Sequence, residues 1–282
     1  MPKAFSVASW NVKHFNKKTD DDPAEQARVE RVISFLKEQN PDIFGIYEVE
    51  GKDVFSEIVS KFPGYSFQIT EGPQTQEILV GARNTLTPFY TQKVEFKSGV
   101  TLMRPGLLAT ITVDDTNYSL LFLHLSSATE PRGMGLRDDM VRRAMTFRRT
   151  LDKAYQNQKA NYIFTGDCNF MGMKYPFDKN IDAKFEIKKW DEAGKRTYAM
   201  KRLQKTIEKT WSPLSTSKLP QSNLDHAFAS EHLNFTKFKN KEEKEVEIDV
   251  RGWVNKKTKA ERDKWINEYS DHSLIYFEVQ KS

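Results

Sequence analysis

Short apolar runs separated by polar turns recur along the whole chain and predict a fold rich in β-strands. The predicted strands cover residues 5–10, 43–47, 77–82, 107–113, 118–123, 162–164, 224–229 and 273–279. Apolar residues at helical spacing are fewer and predict helices that begin near residues 23, 54, 136 and 260. Many strands and few helices indicate one α/β domain whose core is two packed sheets, rich in antiparallel pairs.

The first two predicted strands form one βα unit with the helix between them. Asp22 is expected to cap that helix, with Pro23 at its first position and Glu25 in its first turn. The strand before the helix ends at Asn11 and the strand after it ends at Glu48. We therefore expect these two side chains at corresponding strand ends, although Glu48 alone is typical of a solvated acid in a cap or loop.

Two later segments have less regular patterns. Residues 131–135 contain two glycines and are expected to form a flexible loop before the third helix. Residues 172–213 are rich in basic and aromatic residues, and we interpret them as an insertion. Basic residues interleaved with aromatic rings are typical of a nucleic-acid groove, but they are also typical of an ordinary amphipathic helix and loop.

Composition and charge narrow the class of protein only moderately. With 44 Lys+Arg against 39 Asp+Glu, the net charge of +5 permits a polyanionic partner without requiring one. A single cysteine excludes an internal disulfide framework. The first residues lack the apolar run of a signal peptide, and no apolar stretch approaches the roughly 20 residues that span a bilayer. A cytoplasmic protein without membrane insertion is the simplest interpretation, although a signal peptide removed beforehand would leave no trace.

The clearest chemical signal is Thr165-Gly166-Asp167-Cys168-Asn169, directly after a run that predicts a buried strand. Gly166 permits a turn or a close backbone approach. Asp167 and Asn169 are two residues apart, so on an extended chain both side chains face one spot while Cys168 faces the fold. A carboxylate beside an amide suits a bound water or a hydrated hard cation. Alone this pattern is weak, because Asp and Asn at strand ends are usually turn formers.

Five further fragments carry complementary polar chemistry at predicted strand ends. In chain order the six fragments are Trp10-Asn11, Glu48-Val49, His124-Leu125, Gly166-Asp167-Cys168-Asn169, Leu224-Asp225-His226 and Ser270-Asp271-His272. This order resembles the endonuclease/exonuclease/phosphatase superfamily, the fold of DNase I and the apurinic endonucleases. The segment 132–139 is similar to bacterial members. The resemblance implies one domain over residues 1–282, a four-layer α/β sandwich of two mostly antiparallel sheets flanked by helices.

Two positions depart from the pattern of the superfamily. Tyr47 stands where members usually have Gln before the metal-binding Glu, a change that could alter the surroundings of the metal or the reach of the substrate. Cys168 stands where members have Phe, and strand alternation predicts that it is plain buried core. Neither change removes a charged or catalytic group.

The resemblance implies phosphoester hydrolysis assisted by a divalent cation. Glu48 is the implied principal metal ligand, with Asn11 and Asp271 as direct or water-mediated partners. An all-oxygen ligand set favours Mg²⁺ or Mn²⁺ over zinc. Asn11 is also an implied substrate contact.

The same resemblance implies how the attacking water is activated. Asp167 would orient and deprotonate the water, and Asn169 would steady the water or the phosphate. His272 would bind a phosphoryl oxygen or take the proton of the water. Asp225 would hold His272 in the needed tautomer, as a carboxylate behind an imidazole does elsewhere.

Four more residues are implied around the phosphate. His124 would assist the phosphate or the leaving group, with Glu77 as the acid behind it. Arg104 and Arg137 are predicted phosphate contacts, Arg137 because it is the arginine of its helix nearest the preceding loop.

The leading hypothesis is a metal-dependent endonuclease that acts on DNA as a monomer without an obligate protein partner. The alternative is a hydrolase of the same superfamily acting on a small phosphoester, namely a phosphoinositide, sphingomyelin or a nucleotide. Fold analogy alone does not separate the two. A binding module that has lost catalysis is a third hypothesis, which the presence of all the implied catalytic residues disfavours.

Overall fold

Two six-stranded sheets dominate the computed structural model, which describes residues 1–16, 23–156 and 158–281. The strands are β1 (Lys3–Phe15), β2 (Ile43–Val49), β3 (Tyr65–Ile69), β4 (Glu77–Arg83), β5 (Phe89–Lys93), β6 (Gly106–Val113), β7 (Thr116–His124), β8 (Asn161–Asp167), β9 (Met200–Arg202), β10 (Asp225–Ser230), β11 (Phe238–Lys239), β12 (Glu245–Val246), β13 (Asp249–Arg251) and β14 (Leu274–Gln280). The α-helices are α1 (Pro23–Gln39), α2 (Lys52–Lys61), α3 (Pro131–Ala154), α4 (Ala183–Ala193) and α5 (Lys259–Glu268). Within the described ranges, none of them is long and apolar enough to cross a bilayer.

Both sheets place one parallel strand pair at their centre. The first sheet has the order β13-β14-β1-β2-β4-β3 and the second has the order β5-β6-β7-β8-β10-β9. In these sheets β1 and β2 pair in parallel, as do β7 and β8, and the other neighbours are antiparallel. Parallel neighbours need a long crossover, which α1 supplies in the first sheet and α3 in the second.

The two sheets pack face to face, and helices cover their outer faces. The core between the sheets includes Phe5, Tyr47, Phe122 and Phe277, all fully buried. Helices α1, α2 and α5 pack on the outer face of the first sheet, and α3 and α4 pack on that of the second. The predicted four-layer α/β sandwich with mostly antiparallel sheets is therefore confirmed.

The strand arrangement brings distant polar residues to one edge. The carboxyl ends of the parallel pairs lie in register there, with Asn11 opposite Tyr47 and His124 opposite Asp167. Strands β10 and β14 run antiparallel to their neighbours, so they begin at this same edge, and Asp225 lies opposite Asp167. The edge thus collects the ends of four strands and the beginnings of two.

The first strand is longer than predicted. It continues through Asn11 to Phe15, and its register with β2 shifts in between. Lys13 and His14 have positive φ angles of 29° and 46°, so the chain bulges directly after Asn11. The predicted helix cap at Asp22 lies outside the described residues.

The predicted flexible loop at residues 131–135 is wrong, because these residues form the first turns of α3. Pro131 takes the first helical position, where its missing N–H costs no hydrogen bond. An added Cβ at Gly133 would lie 2.5 Å from the carbonyl oxygen of Ala128. At Gly135 a Cβ would meet no atom within 4 Å. Gly133 therefore permits close packing of the helix on the preceding segment, whereas Gly135 has no such role.

A buried lysine supports the beginning of β10. Lys205 is 3% exposed, and its ammonium group donates hydrogen bonds to the side chain of Asn223 and to the carbonyl oxygen of Asp225 at 2.7 Å. Burial lowers the pKa of Lys205 to about 8, an effect that the nearby Glu208 opposes. The fold therefore holds a charge in its interior to fix the chain at Asp225.

We predict opposite effects for alanine at the two glycines of α3. Gly133→Ala should lower the free energy of unfolding by about 1–3 kcal/mol, because its methyl group would overlap the Ala128 carbonyl. Gly135→Ala should raise it by up to about 1 kcal/mol, because alanine is the better helix former. Urea denaturation of both variants tests the pair, and equal effects would contradict the packing at Gly133.

We predict that Lys205 makes the stability depend on pH. Its folded-state pKa of about 8 lies below the ordinary value of 10.5, so the charge costs stability below that pKa. The cost falls as the pH rises from 8 towards 10.5. Between about pH 7 and about pH 10, the wild type should gain about 2 kcal/mol relative to Lys205→Met. Parallel pH profiles of the two proteins in urea denaturation would contradict this account.

Candidate active site

One amide group joins the two sheets at this edge. The side-chain nitrogen of Asn11 donates to Oε1 of Glu48 and to Oδ2 of Asp167, each at 2.9 Å. Glu48 belongs to the first sheet and Asp167 to the second. The structure therefore brings together three of the predicted site residues, which come from three different strands.

A second contact between the sheets is the imidazole–carboxylate pair of His272 and Asp225. Nδ1 of His272 lies 2.9 Å from Oδ2 of Asp225, and its Nε2 lies 3.9 Å from Oδ2 of Asp167. The indole nitrogen of Trp10 donates to the carbonyl oxygen of His272 at 3.0 Å. The hydroxyl of Thr210 accepts from the backbone N–H of Asp225 at 3.0 Å. Backbone contacts thus fix both members of the pair.

Mutual electrostatics perturb these buried groups strongly. Burial raises the pKa of Asp167 to about 7, with added repulsion from Asp225 and Glu48 and opposition from the imidazole of His272. Burial disfavours charge on His272 as well, but Asp225 and Asp167 outweigh this effect and raise its pKa to about 10. The pair of His272 and Asp225 therefore presents a charged imidazole toward Asp167 at neutral pH.

His124 lies on the opposite side of the cluster and has a different environment. Its Nε2 is 3.6 Å from Oδ2 of Asp167 and 3.8 Å from Oε1 of Glu48. Burial, together with the charges of Arg104 and His272, lowers the pKa of His124 well below its ordinary value. His124 is therefore a neutral imidazole, unlike His272.

The predicted pairing of Glu77 with His124 is wrong. Glu77 accepts hydrogen bonds from Thr70 at 2.5 Å and from Gln74 at 2.8 Å. Nδ1 of His124 is buried and has no hydrogen-bond partner in the described part of the chain. Turn residues just before β4 hold one oxygen of the Glu77 carboxylate, and among the described residues no hydrogen bond joins Glu77 to His124.

Glu48 is held in an unusual backbone conformation. Its φ angle is 63°, a left-handed value that is uncommon for residues other than glycine. Its second carboxylate oxygen accepts from the backbone N–H of His14 at 2.9 Å and from the side chain of Gln76 at 3.2 Å. Gln76 also accepts a hydrogen bond from Arg104. Strained backbone that the surroundings fix in this way is typical of functional sites.

Arg104 lies close to the carboxylates of the cluster and bonds to Gln76, which in turn bonds to Glu48. Burial lowers the pKa of Arg104, an effect that the carboxylates of Glu48, Asp167 and Glu77 oppose. Its Nε is buried without a hydrogen-bond partner in the described residues. Arg104 therefore retains donor capacity beside the acidic groups.

The stretch after β8 does not continue the predicted extended alternation as far as Asn169, because the φ angle of Asn169 is 51°. A Cβ at Gly166 would lie 1.8 Å from the carbonyl oxygen of Leu123, so only glycine permits the close pairing of β7 and β8 here. The backbone N–H of Asn169 donates to Oδ1 of Asp167 at 3.1 Å, and its side chain donates to the carbonyl oxygen of Leu125 at 3.1 Å. Cys168 is fully buried in the core beneath α3, which confirms its predicted inward orientation.

The acidic groups fit a divalent cation. Glu48, His124 and Asp167 each offer a ligand atom within 4.8 Å of the others. Asp271 lies next to His272, with Oδ2 3.2 Å from the ammonium group of Lys13 and with Oδ1 buried and unpartnered among the described residues. An orphaned carboxylate oxygen and closely spaced acids are what a hard cation would satisfy. Asp271 does not belong to the group formed around Glu48.

The predicted phosphate contact at Arg137 is wrong. Arg137 is fully buried, and its guanidinium group donates to both carboxylate oxygens of Glu186 and to the carbonyl oxygens of Ser126, Ala128 and Gly172. These bonds use its full set of donors. Arg137 therefore fastens α3 to the segment around α4 and has no donor left for a phosphate.

Tyr47 lies between the sheets, where the superfamily pattern has Gln. Its hydroxyl group bonds to the hydroxyl of Ser9 at 2.9 Å and to the carbonyl oxygen of Thr165 at 3.3 Å. Its ring packs edge-on against His124, with 6.2 Å between the ring centroids. Tyr47 thus buttresses the imidazole and contacts no carboxylate of the cluster through its hydroxyl.

Sequence reasoning missed several supporting residues. Four of them contact predicted site residues: Lys13, at the bulge of β1, and Gln76, Lys205 and Thr210, which lie in turns or irregular segments. No motif marks them, because their partners are remote in sequence or bonded through the backbone.

Comparisons with known proteins support the fold. No family model matches the sequence, and no curated protein matches it either. TDP2 of D. rerio, solved with a single-strand DNA product, is 17% identical with a TM-score of 0.64 over 98% of this chain and 99% of that one. The mannosyl-6-phosphatase of Bacteroides thetaiotaomicron is 14% identical, with a TM-score of 0.57 over 98% of this chain and all of that one.

A third solved structure carries the name of the superfamily. The endonuclease/exonuclease/phosphatase of Bacteroides vulgatus is 13% identical, with a TM-score of 0.65 over 99% of each chain. These likenesses extend over nearly the full length of this chain. The chain therefore has the DNase I-like fold of the endonuclease/exonuclease/phosphatase superfamily.

Proposed function

We propose that the protein is a divalent-metal-dependent phosphoester hydrolase. The observation that carries the proposal is a continuous series of contacts across two sheets. Asn11 bonds to Glu48 and Asp167 at 2.9 Å, Asp167 lies 3.9 Å from His272, and His272 lies 2.9 Å from Asp225. Hydrolysis of a phosphoester needs a positioned water, charge compensation on the phosphoryl oxygens and assistance to the leaving oxygen. This cluster offers a group for each need.

In the proposed reaction, Asp167 orients and deprotonates the attacking water. Its carboxylate is fixed by Asn11 on one oxygen and by the backbone of Asn169 on the other. Asn169, whose backbone N–H bonds to Asp167, steadies the water or the phosphate. His272, held by Asp225, donates to a phosphoryl oxygen as a charged imidazole.

Glu48 would hold the metal ion, with Asp167 and His124 nearby and with Asn11 and Asp271 as water-mediated partners. Mg²⁺ or Mn²⁺ suits these predominantly oxygen donors. When bound, such an ion would polarise the phosphate and offset the negative charge of the cluster. His124 and Arg104 would contact phosphate oxygens from the other side, Arg104 through the donor that it has unused.

For the substrate, we propose DNA cleaved internally. Three aromatic residues of the 172–213 segment are exposed, Tyr175, Phe177 and Phe185, at 39%, 86% and 59%. Exposed lysines lie among them at Lys174 and Lys184. Exposed rings beside cations favour a strand whose bases can stack and whose phosphates carry charge. The likeness to a protein solved with a DNA product agrees with this choice.

A small phosphoester is the second candidate substrate. The likeness to a mannosyl-6-phosphatase favours it, because the same fold there serves a compact phosphate. The site itself would use the same residues for either substrate. A binding module without catalysis is disfavoured, since every proposed reacting group lies in the cluster.

We predict that Asp167→Asn and His272→Gln each lower hydrolysis by about 10²–10⁴-fold, because each removes a proton-transferring or charged group. The assay measures nicking of plasmid DNA, with single-stranded DNA, RNA and a panel of phosphoinositides and sugar phosphates in parallel, in Mg²⁺, Mn²⁺ or EDTA. Arg142→Gln, a surface variant, serves as the control.

The outcomes of this assay separate the substrates. Nicking that EDTA abolishes supports the DNA endonuclease, and turnover of the small phosphoesters alone supports the second candidate. Wild-type rates in either site variant would overturn the roles assigned to Asp167 and His272. If the wild type turned over none of these substrates, the proposal that the protein is a phosphoester hydrolase would be overturned.

We predict that Mn²⁺ or Mg²⁺ raises the melting temperature of the wild type, because a cation relieves repulsion among the buried acids. Glu48→Gln should lose most of this rise. The matched control is Glu50→Gln. Glu50 lies two residues after Glu48 in the sequence, but it pairs with His14 and stands outside the cluster. Differential scanning fluorimetry measures the shift without any substrate. An equal rise in the wild type and Glu48→Gln would contradict the assigned ligand.

A further inference from the structure

A cavity of about 640 Å³ opens beside the candidate active site. One wall continues from the catalytic stretch, because Phe170 and Met171 directly follow Asn169. Another wall ends at Asn223, two residues before Asp225. Consecutive Cα atoms are about 3.8 Å apart, so both walls begin within a few ångströms of proposed reacting residues. The volume is in the range typical of sites for small organic ligands.

The lining of this cavity combines apolar walls with charged residues of both signs, and the cations Lys184, Lys188, Arg202 and Lys209 outnumber the anions Asp182, Asp191 and Glu208. Phe170, Met171, Ile187 and Pro220 supply apolar surface. Lys184 and Lys188 lie on α4 at the opening, and both are exposed. An apolar interior with cations at the mouth suits a ligand that has a flat organic body and an anionic group.

The cavity also contains a guanidinium group that is incompletely paired. The side chain of Arg202 is only 10% exposed. One terminal nitrogen donates to Gln204 at 3.2 Å. Its Nε and other terminal nitrogen have no hydrogen-bond partner in the described part of the chain. Buried donors without partners cost free energy, which a ligand with acceptor atoms would recover.

Glu208 is the group that now lies over this guanidinium. Its carboxylate is 3.6 Å from the unpaired terminal nitrogen of Arg202, too far for a hydrogen bond. Glu208 is 49% exposed and accepts a hydrogen bond from Asn223 at 2.5 Å. A half-exposed side chain at the rim can turn outward, so an entering acceptor group would take its place against Arg202.

We propose that this cavity is a nucleotide subsite of the enzyme. The base lies against the apolar wall, Arg202 donates to its carbonyl oxygens, and the rim lysines contact a flanking phosphate. Guanidinium donors recognise such base acceptors, and their planar shape also favours a planar ligand. This subsite rests on the proposed phosphoester hydrolase and makes Arg202 and Glu208 residues that determine its specificity.

The test measures binding of thymidine 5′-monophosphate by calorimetry in EDTA, which needs no turnover. Arg202→Gln should weaken binding by about tenfold or more, because a charged hydrogen bond is lost. Glu208→Gln should strengthen it a few-fold, because the competing carboxylate becomes neutral. Ala183→Phe, which adds a ring to the cavity wall at the start of α4, should weaken binding without removing a charge. Arg142→Gln on α3 is the control and should bind like the wild type.

A kinetic comparison separates this inference from the proposed function. Thymidine 5′-monophosphate p-nitrophenyl ester carries a nucleoside, whereas methyl p-nitrophenyl phosphate does not. Arg202→Gln should raise KM for the first ester by about tenfold and leave the second unchanged. If the wild type cleaves both esters, but Arg202→Gln and Ala183→Phe change neither nucleotide binding nor KM, the subsite is overturned and the hydrolase is not. Binding that these variants weaken, without cleavage of either ester by the wild type, would support the subsite and overturn the hydrolase.

Discussion

Two carboxylates meet at one amide nitrogen, and the whole cluster depends on that meeting. Glu48 and Asp167 approach Asn11 from different sheets, each 2.9 Å away. Their negative charges repel each other in a buried setting where the effective dielectric constant is low. The amide offers both carboxylates a donor and so sets their separation. The bulge after Asn11 then lets the backbone of Lys13 donate to the amide oxygen at 2.9 Å, which fixes the orientation of the amide.

The sheet topology explains why such a meeting occurs at this edge. Each sheet carries one parallel pair at its centre, and a helical crossover returns the chain so that both strands of the pair end together. Antiparallel neighbours begin where those strands end. Packing the two sheets face to face therefore brings two sets of strand ends together. Asp225 and His272 join Asn11 and Asp167 in one cluster there. The clustering of polar side chains at this edge is therefore a consequence of the strand order in the two sheets.

Local sequence patterns were sufficient for much of this arrangement. Alternation along the strand predicted that Cys168 faces the core, because side-chain direction in a strand depends only on adjacent residues. The left-handed backbone at Asn169 was not predictable in this way. The order of the six fragments predicted the fold. Turn chemistry was less informative, since the two glycines after Pro131 are equally compatible with a loop and with a tightly packed helix.

Long-range partners were not predictable from such patterns. Arg137 looks like a free surface cation until Glu186, 49 residues later, folds back onto it. Glu77 looks like the partner of His124 until the turn residues Thr70 and Gln74 take its carboxylate. In each case the deciding contact depends on how an irregular segment packs, and hydrophobic periodicity carries no information about that.

The buried position of Cys168 has a practical consequence for handling the protein. It is the single cysteine of the sequence, it has no exposed surface, and burial raises the pKa of its thiol well above the ordinary value. Maleimides react with the thiolate form of cysteine, so we expect Cys168 in the folded chain not to react with them. A cysteine introduced at an exposed position such as Phe177 would then be the sole point of attachment for a fluorophore or a photocrosslinker, with no need to remove a native thiol first.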